Sequence, residues 1–147
     1  MSDGEIKERI GGYLKDHSVL TLATVTPDCR PLAHTVTYVS EGATVFFATL
    51  KTTRKYHDIR RNPAVAYTVD EDCPDWGKIK GIQMEGRAEI LADPGEVARV
   101  RALYVKKFPA AADFPEDLDM AFIRVEPMAC FFLDFSKGFS HRDEVKF

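Results

Sequence analysis

The sequence predicts an α+β fold: a six-stranded antiparallel β-barrel with flanking helices. Three observations carry that expectation. The chain has 147 residues, the size of one domain, so a single unit over residues 1–147 is expected. Its first three strand-like runs are joined by turns too short for βαβ crossovers, which makes them hairpins. Six strands in all are too many for an open hairpin stack, and closing them into a barrel removes the exposed edges.

Each element has a local reason. Ile6, Ile10, Tyr13 and Leu14 recur at helical spacing and predict a helix over Ile6–Lys15. Val19–Thr26 is rich in β-branched residues and ends in the turn chemistry of "PDCR". Pro31–Val39 returns as the second strand, closed by "SEG", and Thr44–Thr49 is the third. A helix of about three turns follows, with Thr52 as its N-cap and Asn62-Pro63 as its stop, because a residue before proline is pushed out of the α region. Ala64–Val69 is the fourth strand. In Ile82–Leu91, the fifth, Ile82, Met84, Gly86, Ala88 and Ile90 alternate with Gln83, Glu85, Arg87 and Glu89, so the two sets face opposite ways. Asp93 caps a helix reaching Lys107, with Pro94 in its first position and Glu96 in its first turn. Met128–Phe135 is the last strand, and "SKGFSHRDEVKF" reads as a flexible tail.

Composition excludes several function classes. The apolar share of 45%, the charged share of 29% and the net charge of -3 describe an ordinary globule and argue against a general nucleic-acid binder. No apolar run approaches the length of a membrane span, and the charged N-terminus has no signal-peptide core, so a cytoplasmic protein is expected. Cys29, Cys73 and Cys130 lack metal-site spacing and read as reduced thiols. No carboxylate pair or Ser/His/Asp arrangement stands out.

One stretch breaks the usual electrostatic rule. In "FFATLKTTRKYHDIRRNP", Arg60 and Arg61 suit the end of a helix, but Lys51, Arg54 and Lys55 crowd its start, where the dipole disfavours cations. Either this is a solvated basic face, or an anion belongs there. Free helical N–H groups, the Thr49, Thr52 and Thr53 hydroxyls and three cations would converge on one phosphate. Neither GxGxxG nor a P-loop motif is present. An anion site without catalytic machinery suits a bound cofactor that carries the chemistry itself. Other candidates are open to two readings. His34 shares a strand face with Val36 and Tyr38, as a buried hydrogen-bonded residue or a ligand contact. Trp76 could stack on a planar ligand or anchor its loop.

The order of elements resembles the pyridoxamine 5'-phosphate oxidase-like, FMN-binding split-barrel family over roughly residues 19–135. The resemblance rests on "TLATVTPDCRPLAHTVTYV", "FFATLKTTRKYHDIRRNPAV" and "GIQMEGRAEIL". It implies a six-stranded antiparallel split barrel and a cofactor, FMN. Thr49 and the triplet Thr53-Arg54-Lys55 would hold the FMN phosphate, and Ala48 and Lys51 beside them are further cofactor-binding candidates. His34, Thr35, Val36 and Thr37 would run along the flavin. The family's Gln falls at Gly81 here, with Gln83 close by, and the oxidase's strand Arg and Lys are replaced by His34 and Val39. These departures point to small, divergent members: flavin reductases, nitroreductase-like proteins and electron-transfer flavoproteins, with related branches that bind a deazaflavin or haem. The alternative is a non-catalytic flavin, deazaflavin or haem binder used in electron transfer, storage or sensing. A homodimer with cofactor at its interface, a reduced nicotinamide donor and a small acceptor are further implied, and His141-Arg142 would reach the site from the partner.

Overall fold

The computed structural model describes residues 1–115 and 117–147, and its strands form one curled antiparallel sheet flanked by three helices. Helix α1 spans Asp3–Asp16, earlier than the periodicity predicts, because the Ser2 hydroxyl accepts from the Glu5 N–H and caps it. Ile6, Ile10 and Leu14 point from α1 into the barrel core. Strand β1 (Val19–Val25) pairs with β2 (Pro31–Thr37). The predicted second strand does not run on to Val39. The chain bends at Tyr38, and Val39–Glu41 forms a separate strand, β3, that pairs with β4 (Thr44–Leu50). Tyr38 is fully buried at that bend and donates to the Leu14 carbonyl at 2.7 Å.

Helix α2 (Arg54–Arg61) has about two turns, not three, and its N-cap is Thr53 rather than Thr52. Then come β5 (Ala64–Asp70), β6 (Lys80–Ile90) and α3 (Pro94–Lys107), whose Asp93 cap is as expected. Strand β7 begins at Met120, well before Met128, and runs to Asp134. The tail is not free: Arg142–Lys146 forms β8 on the edge of β7. Among the described residues the barrel therefore has eight strands, not the six expected, because the second run splits at Tyr38 and the tail adds an edge strand. Their order is β2-β1-β5-β6-β7-β4-β3, with β8 added to β7. No described helix is long and apolar enough to cross a membrane.

Strand β7 holds the sheet together by changing partners. Its first half, Met120–Val125, pairs with β4, and its second, Ala129–Leu133, pairs with β8. The change falls at Pro127, which lies opposite Gly86 where the β6–β7 register shifts. A proline is tolerated there because a bulge needs no ladder N–H from it. Gly86 is needed because a Cβ there would lie 2.5 Å from Val125 Cγ1 and 2.9 Å from the Glu126 carbonyl. Two apolar clusters result. One fills the barrel; the other, around Val39, Phe46, Val100 and Phe122, lies under α3.

A seam opens the barrel. Strand β2 pairs only with β1, and β3 covers only the first residues of β4, so both strands keep an unpaired edge. Tyr104 of α3 donates to the Thr37 carbonyl on β2 at 2.6 Å, while its ring packs in the cluster beside β4.

Candidate functional site

The start of α2 follows the end of β4, beside this seam. Thr49 points into the barrel, and its hydroxyl lies 2.8 Å from that of Thr53. Thr53 in turn donates to the Leu50 carbonyl at 2.9 Å and accepts from the Tyr56 N–H. The backbone N–H groups of Arg54 and Lys55 have no hydrogen-bond partner among the described residues, as the geometry of a first helical turn dictates. No acidic side chain lies in that turn to answer them.

The three cations of the helix start have different fates. Lys51 pairs with Asp119 at 3.3 Å, and its N–H is bound to the Asp119 carbonyl. Arg54 and Lys55 have no carboxylate within ion-pair distance among the described residues. Arg60 lies over the Tyr56 ring, consistent with a helix-end role.

His34 stands beside this cluster. It is partly buried, and its Nε2 lies 2.9 Å from the Thr24 hydroxyl, which donates to Asp58 Oδ2 at 3.0 Å. Burial and the charges of Lys55 and Arg54 hold the imidazole pKa below its ordinary value, against the opposing pull of Asp58. Neither Thr24 nor Asp58 was apparent as a site residue in the sequence. Asp58 carried one faint signal, as the lone acid in a basic helix, one position before the buried Ile59.

The remaining candidates divide by strand face. Val36 is buried alongside His34's side of β2, whereas Thr35 and Thr37 are exposed on the outer face. Ala48 is half-buried beneath α3. Gln83 also faces outward, on a register row that runs Thr35, Thr21, Thr68, Gln83, Phe131, Glu144 across β2, β1, β5, β6, β7 and β8. The next row is Ala33, Ala23, Ala66, Glu85, Ala129, Lys146. These small side chains leave a largely apolar hollow of about 470 Å³. Gln83 is three strands from Thr35, roughly 14 Å at ordinary strand spacing, so one chain does not bring both to the same small ring.

Trp76 is two-thirds exposed and stacks on Phe139, with ring centroids 6.0 Å apart. His141 lies just before β8, 3.4 Å from Asp143. The thiols are free; Cys130 is buried, which pushes its pKa up to about 12. Among the described residues no cluster of His, Cys, Asp and Glu is arranged to hold a metal ion.

A seamed antiparallel barrel with an anion-ready helix beside the seam defines a split-barrel protein. The chain belongs to the pyridoxamine 5'-phosphate oxidase family, whose model matches residues 6–134. It is 27% identical over 128 residues to General stress protein 26 of Bacillus subtilis, covering 86% of this chain and 87% of that protein. Among solved structures it resembles General Stress Protein 26 of Bacillus anthracis (TM-score 0.73, 20% identity, 97% of this chain and 99% of that one). It also resembles a haem-binding protein of Mycobacterium smegmatis (TM-score 0.79, 20% identity, 99% of this chain and 58% of that one).

Proposed function

We propose that this protein binds FMN and acts as an oxidoreductase, passing electrons from a reduced nicotinamide to a small acceptor. One observation carries the reading: the start of α2 offers two free N–H groups and two unpaired cations, with a threonine pair beside them. That donor set fits a phosphate monoester, which needs several charge-assisted hydrogen bonds from cations not already paired with a carboxylate. Arg54, Lys55 and Thr53 would hold the phosphate, with Thr49 behind them, and the unpaired edge of β2 over His34–Thr37 would lie along the flavin. FMN when bound supplies one- and two-electron chemistry that these side chains lack. The chain's own work is to bind, orient and neutralise.

The same reading makes the protein a homodimer. Its support is the outer face, where rows of Ala and Thr make a smooth, mostly apolar hollow, and where Gln83 lies too far from the seam of its own chain. A partner pressed on this face would bring its Gln83 toward the cofactor.

The test is an absorption spectrum of purified protein, followed by FMN titration and light scattering for mass. Flavin bands, saturable FMN binding and a dimeric mass support the proposal. A protein that ignores FMN but shows a Soret band overturns it in favour of a haem binder, the activity named for the mycobacterial neighbour.

A further inference from the structure

The Thr24 hydroxyl lies between an acceptor and an imidazole, 3.0 Å from Asp58 Oδ2 and 2.9 Å from His34 Nε2. It has one proton to give. The buried Asp58 carboxylate can only accept, and hydrogen bonds to charged acceptors are the stronger, so the proton goes to Asp58. The hydroxyl oxygen then accepts from His34, so Nε2 is protonated. A neutral imidazole carries one proton, which leaves Nδ1 bare, and no described residue hydrogen-bonds to it.

We propose that Asp58 and Thr24 are positioning residues that hold His34 in its Nε2–H tautomer, so that an anion bound at the start of α2 draws a proton from solvent onto Nδ1 and receives the hydrogen bond it then donates. This rests on the phosphate-binding reading of α2 and adds a proton to it. The charged groups acting on His34 all come from α2: Lys55 and Arg54 oppose its protonation, and Asp58 favours it. From β1 it meets the uncharged Thr24. A phosphate dianion offsets the two opposing cations while Asp58 continues to act, so protonation becomes more favourable as the site fills. The step balances with one proton taken from water and no other reactant.

Two measurements test it. A long-range proton–nitrogen spectrum of ligand-free, 15N-labelled protein reads the tautomer directly. The wild type is expected in the Nε2–H form, and Thr24→Val in a mixture with Nδ1–H. Calorimetry of FMN binding in buffers of different ionisation enthalpy counts the protons exchanged. The wild type should take up more than His34→Gln, whose amide keeps the inner hydrogen bond but cannot titrate. An Nδ1–H form in ligand-free wild type, or equal proton counts in the two proteins, overturns the inference. Failure of FMN to bind overturns the flavin reading and the proton step with it, whereas the tautomer, read without ligand, judges the relay alone.

Discussion

Removing Arg54 or Lys55 should weaken FMN binding without weakening the fold. A charge-assisted hydrogen bond contributes about 1.5–3 kcal/mol. Arg54 is exposed and belongs at the low end, so Arg54→Ala should cost about 1.5 kcal/mol, roughly tenfold in Kd. Lys55 is partly buried, and Lys55→Ala should cost about 2–3 kcal/mol, roughly 30- to 150-fold. If the two act independently, the double variant loses roughly 300-fold or more. Stability should move the other way. Both side chains lie in the first turn of α2, where a cation costs about 0.3 kcal/mol against the helix dipole, and alanine is the better helix former. Kd is read by quenching of FMN fluorescence, and stability by urea midpoint. The reasoning is refuted if affinity is unchanged, or if affinity and stability fall together, since the latter means these cations support the fold.

Other expectations follow from the same geometry. Because the folded protein holds His34 below its ordinary 6.5, the unfolded chain binds more protons in the window beneath that value. The His34 contribution to stability is thus fully present above pH 6.5 and lost as pH falls through the window, and His34→Gln should flatten that part of a urea-midpoint profile. Gly86→Ala should destabilise by about 1–3 kcal/mol in chemical denaturation, because the new methyl meets Val125 and backbone at the bulge. Tyr104→Phe should cost about 1 kcal/mol by the same measure, through the lost bond to the Thr37 carbonyl. Ile10→Ala, which empties a fully buried position of α1, should cost about 2–5 kcal/mol.

The barrel was legible in the sequence because its core strands alternate. Strand β6 shows its buried and exposed sets residue by residue, and the Asp93-Pro94 start of α3 is plain capping chemistry. What was missed has physical causes. The first half of β7 was hidden because Pro127 reads as a breaker, and only the pairing with Gly86 reveals a bulge that accepts it. Strand β8 buries Val145 alone and otherwise looks like a charged tail; its backbone bonds to β7 make it a strand. The proposed site was half legible. Misplaced charge marked Arg54 and Lys55, because the helix dipole acts locally along the sequence. The Thr24–Asp58 contact joins residues 34 positions apart, and no local pattern announces such a pair. The role of Lys51 was likewise blurred, since Asp119, which takes its charge, lies beyond α3, just before β7.

The hand-over at Pro127 also divides the protein's motions. A strand that serves one neighbour along its first half and another along its second does not need to release both at once. Strand β8 is short, lies at an edge and inserts one side chain into the core, so it can peel away while the β4–β7 ladder stays closed. Amides joining β7 to β8 should then exchange with deuterium through small local openings, while those joining β7 to β4 wait for global unfolding. The half of β7 next to the proposed phosphate site is on this view the slow-exchanging one, and the half beneath the terminal strand is the part of the sheet that breathes.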